Sequence, residues 1–217
     1  MAQLVQVESS GKQVLAAANN KLHLIDLSTR RLALSYDAHN NPISSMCFAD
    51  QRVVNTISNQ LQHNRACFIC TADNKGMVNV WKASQPDKSH GQFNVRAQIY
   101  KVQQYCAMKG MPVLALAYNG LVGLVDMNRS QFVYKFALQT ESGEFTAVRD
   151  FVVADLTRIQ VVDHHGNLYL VYLPGDVSSF FQALCSSDTE SAATMQQLNY
   201  TTSVSVLPGK FIGHMSN

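Results

Sequence analysis

The sequence predicts an all-β fold made of repeated four-stranded blades, the architecture of a β-propeller. Three observations point there. A unit of apolar run, tight polar turn and alternating run recurs four times along the 217 residues. The second runs of these units end at Ile25, Trp81, Val125 and Val171, spaced 56, 44 and 46 residues apart, against about 40–45 for a WD-type blade. Only 15% of the residues are charged while 47% are apolar or aromatic, which suits strands covered on both faces by neighbouring blades.

Each blade follows in chain order. The first (3–37) takes Leu4–Val7, a hairpin over Val14–Asp26 turning at Asn19-Asn20, and Arg31–Tyr36. The second (42–99) takes Ile43–Phe48 and the hairpin Cys67–Lys82, with the polar stretch 50–65 predicted as an inserted loop. The third (101–138) takes Gln104–Met108, the hairpin Val113–Asp126 and Gln131–Phe136. Its Asn119-Gly120 turn is a strong hairpin signal, because both residues tolerate the positive φ of a type I′ turn. The fourth (144–184) takes Ala147–Val153, the hairpin Ile159–Tyr172 and a strand over Ser178–Leu184. A second loop is predicted over 185–198, and 200–217 reads as the opening of a fifth blade. Four blades and part of a fifth make an incomplete ring of WD-repeat type, since a closed seven-blade ring needs about 300 residues at this period.

Composition narrows the function. A net charge of +2 is too near neutral for a protein that binds nucleic acid by neutralising phosphates. No apolar run approaches the length of a membrane-spanning helix, and residues 1–6 lack a basic leader or apolar signal core. The chain therefore reads as soluble, unsecreted and without membrane insertion. Five cysteines at irregular spacing do not resemble a disulfide framework.

The chemistry-bearing residues are sparse. Cys67 and Cys70 have C-x-x-C spacing, but residues i and i+3 of a strand point to opposite faces, so core packing is expected rather than a metal site. His164-His165 sits in a turn beside Asp163 with no nucleophile near it in sequence, so solvent-facing turn residues are expected. Trp81, the single tryptophan, stands where it would pack between blades. No phosphate loop, G-x-S-x-G or H-E-x-x-H occurs. The expectation is a non-enzyme with no cofactor and no metal.

Several segments resemble one propeller family. These are Tyr36–Cys47 between the first two blades, Lys101–Asn128 in the middle, Thr146–Phe151 with Gly166–Tyr172, and Val204–Asn217. They are similar to the WD-repeat family that includes the nuclear mRNA-export factor and the spindle-checkpoint propeller, both binders of GLEBS peptides. The resemblance implies a scaffold that docks a protein partner on its loop rim: a GLEBS-like peptide of a nucleoporin or a checkpoint kinase. It also implies residence in the nucleus or nuclear envelope, and in the cytoplasm. Partner contact is expected at Asp73, Asn74, Lys75, Thr146, Arg149 and His164. Two positions depart from the family pattern: the expected tryptophan falls on Asn74, and an expected arginine on Thr146, with Arg149 three residues on. The alternative reading is a divergent propeller subunit of a large assembly whose ring another chain completes. A propeller hydrolase or lyase with its site in the central channel has no supporting residue.

Overall fold

The computed structural model describes residues 4–8, 11–55, 60–108, 110–185 and 203–215, and over 51–67 and 86–87 the backbone alone. Blade one is β1 (Leu4–Val7), β2 (Gln13–Ala18), β3 (Lys21–Asp26) and β4 (Arg31–Asp37), hydrogen-bonded in that order. Blade two is β5 (Ile43–Asn55), β6 (Gln60–Asp73), β7 (Met77–Lys82) and β8 (Gln85–Asn94). Blade three is β9 (Ile99–Cys106), β10 (Val113–Tyr118), β11 (Leu121–Asp126) and β12 (Gln131–Gln139), with the short β13 (Phe145–Thr146) paired to β12. Blade four is β14 (Val148–Val153), β15 (Arg158–Asp163), β16 (Asn167–Tyr172) and β17 (Ser205–His214). A helix, α1 (Gly175–Cys185), lies between β16 and β17 in sequence.

The blades stack through their faces. All six residues of β10 are buried, and they alternate between two cores. Leu114, Leu116 and Tyr118 join Phe68, Val78 and Val80 of blade two. Val113, Ala115 and Ala117 join Phe151, Val161 and Tyr169 of blade four, with Phe180 and Phe181 of α1. Successive strand residues point to opposite faces, so an unbroken apolar run is what a doubly covered strand requires. Between blades one and two, Leu15, Leu22 and Leu24 pack on Ile69 and Trp81. Each such large side chain contributes about 1.5–3 kcal/mol on burial.

The two end blades differ from the middle ones. β3 and β15 alternate between buried and more exposed positions, the pattern of a sheet covered on one side. Across blade one, register pairs Val7 with Val14, Val14 with Ile25 and Ile25 with Leu32. This row lies on the face turned away from blade two, with Val7 55% and Leu32 58% exposed. Blade four exposes Val152 and Tyr172 in the same manner.

Four expectations are corrected. Within the stretch 50–65, expected as a loop, the described residues are strand: β5 and β6 continue as a ladder from Gln51 paired with Asn64 to Asn55 paired with Gln60. Backbone hydrogen bonding alone makes such a ladder, so a polar sequence conceals it. Ser178–Leu184 is helical rather than a strand. The third blade opens at Ile99, earlier than Gln104. The segment expected to open a fifth blade instead pairs antiparallel with β16 and completes blade four. Its first half, Ser205–Pro208, also runs parallel to Phe136–Gln139 of β12, joining blades three and four in one sheet. The predicted loop 185–198 falls outside the described residues beyond Cys185, where α1 ends.

Candidate functional site: a polar cleft on the turn rim

One end of the blade stack is built by a repeated device. The link from blade one to blade two is held by Ile43 N–H donating to Asn19 O at 2.7 Å and Asn74 N–H donating to Pro42 O at 3.0 Å. From blade three to blade four the same geometry returns, with Val148 N–H on Gly120 O at 3.1 Å and His164 N–H on Ala147 O at 3.0 Å. Asn74 and His164 are thus equivalent positions. So are their neighbours: Asp73 Oδ1 accepts from Lys75 N–H and Met77 N–H, both at 2.9 Å. Asp163 Oδ1 accepts from His165 N–H and Asn167 N–H, also both at 2.9 Å. Gly76 and Gly166 close the two turns at φ of 96° and 83°, a region that glycine enters without steric penalty. The equivalence extends to the last strand, because Met215 N–H donates to Gly166 O as Val95 N–H does to Gly76 O.

A buried polar chain runs beneath this rim in blade two. Trp81 Nε1–H donates to Thr71 Oγ1 at 3.0 Å, and Thr71 Oγ1 lies 2.8 Å from His39 Nε2. His39 Nδ1 faces Asp73 Oδ2 at 3.5 Å. These partners assign the proton to Nδ1, leaving Nε2 to accept from the Thr71 hydroxyl. Burial holds the His39 imidazole below its ordinary pKa, and the Asp73 carboxylate, which pulls upward, does not outweigh it. In blade four Thr146 Oγ1 donates to Asp163 Oδ2 at 3.0 Å, and Asn167 Nδ2 donates to the same oxygen at 3.1 Å. Burial works to raise the Asp163 pKa, but these bonds and the turn amides outweigh it and hold the carboxyl below the usual range.

Between blades one and two the rim opens into a cleft of about 530 Å³. Asn20 and the link residues Asp37–Asn41 form one wall, while Asp73, Lys75, Met77, Asn79, Trp81, Gln92 and Asn94 complete it. Asn20 Nδ2 donates to Asp37 Oδ1 at 3.2 Å and to His39 O at 3.0 Å. Asn41 Nδ2 donates to Asp73 Oδ2 at 3.1 Å, and Asn79 Nδ2 to Ala38 O at 2.9 Å. Asn79 is 4% exposed, and its Oδ1 has no hydrogen-bond partner.

The six expected contact residues divide accordingly. Asp73 is buried beneath its turn and spends both oxygens on the protein, so it builds the rim rather than presenting itself to a partner. Thr146 is likewise committed to Asp163. Lys75 is exposed at the mouth of the cleft, and Asn74 is half-buried in the turn beside it. His164 is exposed and packs on His165 with ring centroids 3.7 Å apart. Arg149 stands on β14 next to Val148, with its guanidinium over the Tyr100 ring at 4.9 Å. Asp73, Asn74 and Lys75 therefore lie together on blade two, while Thr146 and His164 meet at the blade-four turn. The sequence reading missed His39, Thr71, Asn20 and Asn79. The spacing of a histidine before the blade, then Thr71, Asp73 and Trp81, was the available signal. Cys70 is buried among core residues, and the Cys67 side chain lies outside the described set. Among the described residues no group of three or more His, Cys, Asp or Glu side chains could hold a metal ion, and no helix is long and apolar enough to cross a membrane.

No protein-family model matches the sequence, and no curated protein matches it. Among solved structures it is similar to the β-propeller domain of Cps50 (Swd1) from Myceliophteria thermophila, with a TM-score of 0.50 and 11% identity. The match covers 80% of this chain and 65% of that domain, so this chain spans just under two thirds of the propeller it resembles. At that identity the likeness is one of fold, and the chain has the fold of a WD-repeat type β-propeller.

Proposed function

We propose that this chain is a non-catalytic interaction scaffold that docks a peptide segment of a partner protein on its turn rim. The observation that carries the reading is the polar cleft between blades one and two. It is concave and built on hydrogen-bonded turns, and the Asp73-centred network of blade two fixes the backbone around it. Rims of rigid scaffolds are where propellers place their contacts. The finer assignment follows the family resemblance: a role of the mRNA-export, nuclear-pore or spindle-checkpoint type, in the nucleus or nuclear envelope and in the cytoplasm. Its partner would be a GLEBS-like peptide of a nucleoporin or checkpoint kinase. With Asn74 and Thr146 at the positions of the expected anchors, the cleft takes over the role of the missing tryptophan and arginine. Affinity capture from cells with wild-type protein and with the Asn40→Arg, Lys75→Glu double variant tests this. A nucleoporin or checkpoint kinase retained by the wild type and lost by the variant supports it. Recovery of neither class refutes the finer assignment, and identical recoveries refute the rim.

The outer-face aliphatic row Val7–Val14–Ile25–Leu32, exposed at Val7 and Leu32, favours a second reading, in which the end faces pack on blades supplied by another chain of a larger assembly. Under it, co-expression with that chain raises the yield of folded protein, and a well-folded, soluble monomer counts against it.

A further inference from the structure

We infer that the cleft between blades one and two binds the guanidinium of an arginine side chain carried by the docking peptide. This rests on the rim being the docking face and names the chemistry it selects. The argument starts from which hydrogen-bonding groups remain unspent. Asn20 commits both of its amide N–H groups, and Asn41 and Asn79 commit one each, to acceptors of the protein itself. What all three side chains can still offer a ligand is carbonyl oxygen. Asn79 makes the case strongest, because its Oδ1 is buried without a donor, and such a group is costly unless something donates to it. Asp37, which lines the cleft, adds a carboxylate: it is exposed, and Asn20 donates to Oδ1, leaving Oδ2 for a ligand.

The site is therefore rich in acceptors. It is also net negative, since Asp37 and Asp73 outnumber Lys75 among the lining residues and His39 is held neutral by burial. An anionic ligand would meet uncompensated acceptors, and a neutral one would leave the Asp37 charge unpaired. A guanidinium supplies five N–H donors in a fixed planar fork and no acceptor, which matches a carboxylate flanked by amide oxygens. Its flat face also suits the apolar part of the lining, to which Met77 and Trp81 belong. Lys75, at the mouth, limits the cleft to one cationic head and favours a carboxylate beside the arginine in the peptide.

Trp81 is the single tryptophan of the chain and lines this cleft, so its fluorescence reads occupancy directly. The probes are the tripeptide N-acetyl-Gly-Arg-Gly-amide and its citrulline and glutamate analogues, titrated into the whole chain. The expected result is a saturable fluorescence change with the arginine peptide, weaker by about tenfold or more with citrulline, which keeps the shape and loses the charge. Asp37→Asn, a substitution at an exposed position, is expected to weaken arginine binding about fivefold or more while leaving the melting temperature unchanged. Ser84→Ala, at the opposite end of blade two, is expected to change nothing. No saturation by the arginine peptide up to about 10 mM, equal binding of arginine and citrulline, or preference for glutamate would each overturn the inference. Equal or reversed preference leaves peptide docking on the rim standing, while the rim itself is decided separately by the capture experiment.

Discussion

Thr71 Oγ1 serves two buried partners at once, accepting from Trp81 Nε1 and donating to His39 Nε2. Replacing it with valine keeps the shape and strands both groups, so Thr71→Val should cost about 2–4 kcal/mol in chemical denaturation. A loss below about 0.5 kcal/mol would remove the network from the account. His39 also gives the fold a pH signature. Its folded pKa lies below the ordinary value of 6.5, so its contribution is complete above pH 6.5. As pH falls below that value, the unfolded chain takes up a proton that the buried ring refuses, and stability is lost. The melting temperature should be level above about pH 7 and fall between pH 6.5 and 5, a slope that His39→Gln flattens. Asp163 acts in a separate window, because its lowered carboxyl pKa supplies stability that is lost only as pH drops below 3.8. Trp81 and Asp73 were legible in the sequence as a strand-end aromatic and a turn acid. His39 and Thr71 were not, because a lone histidine in a link and a threonine in a strand acquire meaning only when the fold brings them to one tryptophan.

Elements were legible where apolar periodicity carried them. All four hairpins lie where the repeat placed them, since each alternates around a turn that needs Asn or Gly. The helix α1 shows what was overlooked: Val177, Phe180, Phe181 and Leu184 recur at i, i+3, i+4 and i+7, the helical period rather than the strand period. Asp176 in the first turn suits the positive end of the helix. Phe181 is fully buried, with its ring edge-on to Tyr105 at a centroid distance of 4.7 Å. Phe181→Ala should therefore destabilise by about 3–5 kcal/mol, as a large cavity does. The strand β17 could not be read as part of blade four, because pairing partners so far apart in sequence leave no local trace. Turn geometry offers a paired test. Gly76 and Gly11 both have positive φ, but a Cβ on Gly76 would meet Ala97 O at 2.6 Å, while one on Gly11 meets nothing within 4 Å. Gly76→Ala should cost at least about 1 kcal/mol more than Gly11→Ala, the surplus being the steric clash.

At the scale of the whole molecule, the middle blades bury both faces and the end blades one. That contrast explains the low charge fraction more closely than composition alone. It also leaves aliphatic rows on the outer faces, so an apolar dye should bind the purified chain. Dye binding should drop in the Val7→Thr, Leu32→Thr variant with stability held within about 0.5 kcal/mol; unchanged binding would place the dye elsewhere. The rim is the other whole-molecule feature, formed where the links from blade one to two and from blade three to four are hydrogen-bonded to the turns beside them. The central claim is that this end, and not the opposite one, meets the partner protein. Site-specific photocrosslinking in cells tests it most directly, with the crosslinker placed at Asn40 on the rim or at Ser84 on the opposite end, both exposed. A discrete protein adduct at Asn40 with none at Ser84 is the predicted result. Adducts of equal yield at both positions, or an adduct at Ser84 alone, would contradict the account.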